Sequence, residues 1–362
     1  MVSDVSRRLR GRLPNRRALT LTVVAVLVLL LALAGAVMPV PYVSLRPGPT
    51  LNTLGVNPQT DKPLIEITGE QTYADNGHLN FTTVAYTGDP DRPLTLYGAL
   101  RDWLDPDRAV VPQETIFPKG ETAEEVEQEN TALMADSQQT SVAAALTQMG
   151  EKLTTESVVV GVEKGMPAEG TLETGDKITA VDGTPATQTA QITGKLREYK
   201  AGQQVTLTVV RDGKERTETL TMAAHPKEPD KAVVGVKLAD RYVLPIDVKM
   251  NVGDIGGPSA GLMFALGIYE LLTPGSLTGG KFIAGTGTIT MDGQVGAIGG
   301  IQQKMIAARD AGATVFLVPP GNCPAALDAA PDGLRLVKAE TLDSAVKSLQ
   351  ALQDGKGQVP AC

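Results

Sequence analysis

The sequence predicts an α+β protein carried on one N-terminal transmembrane helix. Three observations lead there: an uncharged run of 21 residues from Ala18 to Met38, apolar–polar alternating segments set between helical stretches, and a last third that reads helix, strand, helix, strand, helix.

At about 1.5 Å per residue the uncharged run is long enough for a hydrocarbon core of about 30 Å. Arg7, Arg8, Arg10, Arg12, Arg16 and Arg17 precede it against a single acidic residue, Asp4. That asymmetry places residues 1–17 in the cytoplasm and everything after residue 40 outside. Ala34-Gly35-Ala36 also fits a signal-peptide cleavage pattern, the competing reading. The apolar run exceeds a usual signal core, and Pro39 and Pro41 form a stiff exit, which favours an uncleaved anchor at 18–38. The net charge is −8 and the tail carries +5, so the remainder is at −13. An acidic exterior portion argues against nucleic acid as the partner.

Residues 39–152 open with a Pro-rich lead (Pro39, Pro41, Pro47, Pro49), followed by β-like runs at Leu64–Thr68 and Leu79–Tyr86. Ala123–Met149 reads as one or two helices, with Val126, Met134, Val142, Ala143, Leu146 and Met149 as apolar positions. Residues 153–226 form a compact module. Val158–Val162 and Lys177–Val181 are strands, Thr187–Tyr199 is a helix, and Val205, Leu207 and Val209 alternate on one face. Arg211-Asp212-Gly213-Lys214 then turns a hairpin into Glu215–Thr221. Residues 227–352 hold a buried apolar helix after Ser259, strands at Thr314–Pro319 and Leu334–Val337, and a closing helix at Leu342–Leu352. The tail, 353–362, reads as loose apart from its last residue.

The chemistry concentrates in Gly256-Gly257-Pro258-Ser259-Ala260-Gly261 and in Lys304. Pro258 suits a first helical turn, which sets Ser259 at the mouth of a buried helix, where free N–H groups and the helix dipole stabilise a developing oxyanion. The N–H groups of Gly256, Gly257 and Ser259 are the candidate donors. If Ile301 to Asp310 is helical, Lys304 has Gly300, Ile301, Ala307 and Ala308 on its face. A desolvated lysine loses part of its proton affinity and can act as a base. The bland alternative is a lysine that snorkels to the surface; pairing with the serine turn favours the base.

Gly257-Pro258-Ser259-Ala260-Gly261 resembles the nucleophile turn of the Lon-type serine proteases. Gly285-Thr286-Gly287-Thr288-Ile289-Thr290, Gly293-Gln294-Val295, Ile298-Gly299-Gly300 and Lys304-Met305-Ile306-Ala307-Ala308 match that family's lysine half in order and spacing. The resemblance covers roughly residues 229–320. It implies a Ser259 nucleophile, a Lys304 general base, and Thr286 as the residue that orients the lysine amine. Gly256 and Thr288 stand where many relatives carry acidic residues. The module is similar to bacterial PDZ domains through Met166-Pro167-Ala168-Glu169-Gly170, Leu172, Gly175-Asp176-Lys177-Ile178 and Val181-Asp182-Gly183. That similarity implies a peptide groove along Ser157, Val158, Val159 and Val160, where an extended peptide adds as a strand. Glu156, in the place of the carboxylate-binding loop, opposes a free carboxylate.

As a whole the chain resembles the membrane-anchored, PDZ-containing Lon-like proteases of bacteria. The implied fold is a Lon-type proteolytic domain, built from residues 39–152 and 227–352, with the PDZ domain inserted. The implied activity is an ATP-independent serine endopeptidase acting on polypeptides outside the membrane, with self-association into a homo-oligomer left open. The alternative is a non-catalytic PDZ peptide-binding protein with an inactive Lon-like shell, which the intact Ser259, Lys304 and Thr286 oppose.

Other chemistries fit poorly. The chain has two histidines, His78 and His225, neither in a triad-like context, and two cysteines without zinc spacing. No metal and no cofactor is expected. Gly275-Ser-Leu-Thr-Gly-Gly-Lys281 approaches a phosphate loop, but Phe282 replaces the magnesium-binding hydroxyl, so it reads as a glycine-rich turn. Cys323, in a turn after a strand, and the terminal Cys362 lie in an oxidising exterior and form a candidate disulfide. Two free thiols or an intermolecular link are the other readings.

Overall fold

The computed structural model describes residues 16–73, 75–226, 228 and 230–362. Arg7, Arg8, Arg10, Arg12 and Asp4 of the basic tail lie outside the described residues. In chain order the main elements begin with α1 (Arg16–Val37), β1 (Tyr42–Asn52), β2 (His78–Thr87), α2 (Leu96–Trp103), β3 (Ala109–Pro112) and α3 (Ala123–Gln148). The module follows as β4 (Thr155–Val162), β5 (Lys177–Val181), α4 (Thr189–Leu196), β6 (Gln204–Arg211) and β7 (Lys214–Thr221), and its sheet extends past the expected end at residue 226 to take in β8 (Val236–Tyr242). The chain ends with α5 (Gly261–Leu272), β9 (Phe282–Gly285), α6 (Ile301–Asp310), β10 (Val315–Val318), α7 (Cys323–Asp328), β11 (Arg335–Lys338) and α8 (Leu342–Asp354).

The helix α1 is long and apolar enough to cross a membrane and is exposed along almost its whole length. Beyond it stands a six-stranded sheet in the order β11-β10-β9-β2-β1-β3. The strands from β11 to β2 run parallel, while β1 is antiparallel to both β2 and β3. Both faces are covered along β9 and β10, and successive side chains alternate between two cores, as a period of two requires. Ile283 and Leu317 face a core shared with α3, α5 and α8, whereas Ala284, Phe316 and Val318 face α6 and α7. The sheet thus separates α5 from α6. Their functional ends meet only past the carboxyl end of β9, the edge where open α/β sheets place their sites.

The Pro-rich lead carries into a long strand, β1, of 11 residues. Its register shifts between Pro47 and Thr50, so the prolines fall at an irregularity that spares the ladder their missing N–H groups. Ala123–Gln148 is one continuous helix, started by a capping box between Thr122 and Glu125. The helix read as Thr187–Tyr199 is shorter, Thr189–Leu196, because Arg197 already closes it as the C-cap.

Around β7-β6-β5-β4-β8 the module forms its own core, from Val159, Ile178, Ile192, Leu207, Val209 and Leu220 among others. Arg211 locks its loops, donating to both carboxylate oxygens of the buried Asp176 at 2.7 and 2.6 Å and to the Thr171 carbonyl at 2.9 Å. A bidentate, desolvated pair of this kind is among the stronger polar contacts a small domain can hold.

The C-terminal tail is not loose. The Lys338 N–H donates to the Pro360 carbonyl at 2.9 Å, and Cys362 is bonded to Cys323 at the start of α7. The bridge spans 39 residues and seats the terminus against the α6–α7 core. Closing such a loop is worth about 3–4 kcal/mol in the chain-entropy model. Protein isolated without reductant should take up no alkylating reagent by intact mass, and reduction should lower Tm by several degrees; two alkylated thiols would refute the bridge.

Candidate active site

The Ser259 turn is built from three distant segments. From α3, Asn130 offers its carbonyl to the Gly257 N–H at 2.8 Å. Ser137 donates to the Pro258 carbonyl at 3.1 Å, and Ser141 Oγ lies 3.0 Å from the Gly261 carbonyl. From the loop after β9, the Gly287 N–H donates to the Ser259 carbonyl at 2.8 Å while the Gly287 carbonyl accepts from Leu262 N–H at 3.0 Å. Gly257 has φ +86°, a conformation that L side chains resist. At Gly256 a Cβ would stand 2.9 Å from Asn130 Cβ, so this glycine allows α3 to approach.

Two sequence expectations change here. Pro258 is not in the first helical turn: α5 starts at Gly261, after an Ala260 cap. Pro258 and Ser259 belong to the preceding turn, closed by Gly261 N–H on the Pro258 carbonyl at 3.4 Å. Gly257 is also withdrawn as an oxyanion donor, because Asn130 already takes its N–H. Among the described residues the N–H groups of Gly256, Ser259 and Ala260 carry no hydrogen bond.

Lys304 arrives from the other side of the sheet. Gly300, in the left-handed region at φ +67°, starts α6 and lies so close to Val84 that a Cβ would meet its Cγ2 at 2.7 Å. The helix then packs on β1 and β2. Ile301, Met305, Ala307 and Ala308 are buried around Lys304, which is itself only 3% exposed; Gln303 is buried too, so more than one face of α6 is covered. Nζ lies 2.7 Å from Ser259 Oγ and donates to Thr286 Oγ1 at 3.0 Å. The Thr286 hydroxyl in turn donates to the Ser259 carbonyl at 3.0 Å. Burial pulls the amine down from its ordinary value to about 8. With one N–H committed to Thr286, the lone pair of the neutral amine is free to accept the Ser259 hydroxyl proton. Serine hydroxyl and buried amine stand at the separation that proton transfer between them requires.

The sequence reading does not single out Asn130, Ser137 and Ser141. A signal existed: their spacing of seven and four residues puts all three on one face of α3, an unusual polar stripe. The other candidates separate from the site. His78 stacks on Phe282 with ring centroids 4.5 Å apart. The glycine-rich turn uses its own amides: Leu277 N–H donates to Glu270, Gly279 N–H to Ser276 and Gly280 N–H to Thr278. No cradle remains for a phosphate. No cluster suited to a metal ion occurs among the described residues.

The peptide groove of the module is not open. Ser157, Val158, Val159 and Val160 lie on β4, which pairs with β5 on one side and with β8 on the other. The strand β8 runs antiparallel to β4, with Leu238 opposite Val159 and Asp240 opposite Ser157, and it packs beside α4. The Asp240 carboxylate accepts the Thr189 N–H at 2.7 Å, capping α4. The edge expected to receive an external peptide carries the chain's own strand, because β8 supplies the same backbone ladder from within. Glu156 is held by Lys177 at 2.7 Å.

A family model described as PDZ domain matches residues 136–222, and the chain contains a PDZ domain. Among curated proteins it is similar to the Lon protease of Clostridioides difficile, 43% identical over 79 residues, covering 22% of this chain and 10% of that protein. It is also similar to the Lon protease of Campylobacter concisus, 30% identical over 169 residues, covering 44% of this chain and 20% of that protein. The chain thus spans a fifth or less of the length of these relatives. The PDZ domain of an SdrC-like protein from Listeria monocytogenes is a solved neighbour at 21% identity and TM-score 0.22, covering 23% of this chain and 87% of that one. A solution structure from Geobacillus thermodenitrificans matches at 38% identity and TM-score 0.21, covering 23% and 94%.

Two outcomes follow from this geometry. Gly257→Ala should destabilise the protein by about 1–2 kcal/mol through its positive φ, and Ser137→Ala by about 1 kcal/mol through the bond lost to Pro258, both read by denaturant unfolding. Amide exchange in β8 should be as slow as in the interior strands of the module; rapid exchange there would mean that the groove stands open.

Proposed function

We propose that this protein is a membrane-anchored, extracytoplasmic, ATP-independent serine endopeptidase using Ser259 and Lys304. The observation that carries this reading is the 2.7 Å approach of the buried Lys304 Nζ to Ser259 Oγ. In this mechanism the neutral amine takes the Oγ proton as Oγ attacks the carbonyl carbon of the scissile peptide bond. The tetrahedral oxyanion is met by the unengaged N–H groups of Ser259 and Ala260. The Lys304 ammonium returns its proton to the leaving amine, which departs and leaves an acyl-enzyme on Ser259. Lys304 then accepts a proton from water as the water attacks the ester, and Oγ recovers a proton on release of the acid. Thr286 keeps the lone pair aimed through both halves. The partial similarity to Lon proteases supports the reaction class, and α1 with the basic residues before it supports the anchor. The PDZ domain acts in regulation: β8 pairs along its groove strand β4, and the chain runs on from β8 through Asp247–Met250, paired with Ile65–Thr68, to the Ser259 turn.

Ser259→Ala and Lys304→Ala should each reduce peptide hydrolysis by at least about 10³-fold, with the double variant no worse, because the pair acts as a unit. Thr286→Val should leave a folded protein about 10–100-fold slower, less than the about 10²–10⁴-fold of a general base because Thr286 only aims the amine. The base must be neutral, so kcat/KM should rise with pH through about 8 and fall on acidification as Lys304 is protonated. Near-normal turnover in Lys304→Ala, or a flat profile between pH 6 and 9, would overturn the assignment.

A further inference from the structure

The helix α2 is built inside out. Its carboxylate, Asp102, is 1% exposed and held by Arg101 Nε and Nη2 at 3.0 and 2.8 Å and by Arg108 Nη1 at 3.1 Å. Its large apolar side chains are left exposed: Trp103 is 69% exposed, the following Leu104 74%, Leu100 45% and Tyr97, whose ring also touches α1, 44%. Tyr97, Leu100 and Leu104 recur at the three- and four-residue spacing of one helical face. Water is a poor surrounding for such a face, and a contiguous exposed apolar patch marks a docking surface.

The occupant is indicated by where α2 sits. The Leu96 N–H donates to the Met38 carbonyl at 3.0 Å, and Pro39–Val40 pairs with Leu94–Thr95, so α2 starts where α1 ends. The Tyr97 ring covers Gly35, so closely that a Cβ there would stand 2.8 Å from its Cζ. Gly35 is two residues from the end of α1, about 3 Å along the axis. A helix fixed at that depth beside a transmembrane segment lies at the boundary of acyl chains and headgroups. Trp and Tyr collect there, and Arg101 can keep its guanidinium in the headgroups.

Resting on the reading of α1 as an uncleaved span, we propose that α2 is an interfacial helix whose Tyr97–Leu100–Trp103–Leu104 face enters the outer leaflet and fixes the orientation of the soluble portion on the bilayer. The chain has a single tryptophan, which makes Trp103 its own probe. The test uses the full-length protein in phosphatidylcholine vesicles, with and without lipids brominated near the headgroup end of their chains. Trp103 emission should be blue-shifted relative to the unfolded protein and quenched by the brominated lipid. In Leu100→Glu/Leu104→Glu, both effects should be lost while hydrolysis of a small soluble peptide in detergent persists. Water-like emission, insensitive to brominated lipid in protein that stays with the vesicles through an alkaline wash, would overturn the proposal and leave the anchor standing. Blue-shifted emission that ignores brominated lipid but depends on protein concentration would also overturn it, in favour of a second copy covering α2. Release of the protein by the alkaline wash would instead refute the anchor, and with it this surface.

Discussion

A lysine amine becomes a base only when water is kept from it, and most of this fold serves that constraint. Desolvation is the cause of the depressed proton affinity of Lys304. It needs helix α6 sunk against the central sheet, and Gly300 makes this closeness sterically feasible beside Val84. An amine buried without partners would be a pure cost. Thr286 and Ser259 are those partners, and the Thr286 hydroxyl donates in turn to the Ser259 carbonyl. The hydrogen bonds from α3 then hold the serine against the amine. Sheet, helices and turn converge on one 2.7 Å contact.

Much of this was legible in the sequence because the relevant signals are local. The apolar face around Lys304, the glycines of the Ser259 turn and the hairpin at Asp212-Gly213 are each written in a handful of adjacent residues. What stayed hidden depends on long-range partners. Gly257 looked like a donor until α3 supplied the Asn130 carbonyl that takes its N–H. The strand β1 was obscured by its prolines, which local propensity reads as a break and the sheet tolerates at a register shift. The helix α2 carries its polar residue inward and its apolar residues outward, so the usual amphipathic rule gives no warning of its orientation.

The PDZ domain shows the same limit. Its core pattern is plain in Val205, Leu207 and Val209, yet the state of its groove could not be read from it. Nothing in the residues Val236–Tyr242 distinguishes an external ligand from an internal strand; only their pairing with β4 does so. The cap that Asp240 places on α4 ties that strand to the helix as well as to the sheet.

That pairing also bears on how the chain reaches its native state. The contacts that fasten the serine turn to α3 link residues 120 and 121 positions apart, a separation that on its own makes for slow closure. Register between β8 and β4 sets Tyr242 opposite Thr155, so the inserted domain begins and ends at one place. Once it folds, the length of chain that remains to be searched shrinks to the short arms on either side. The inserted domain acts as a staple for the surrounding chain, and its folding can precede and hasten assembly of the two halves around it.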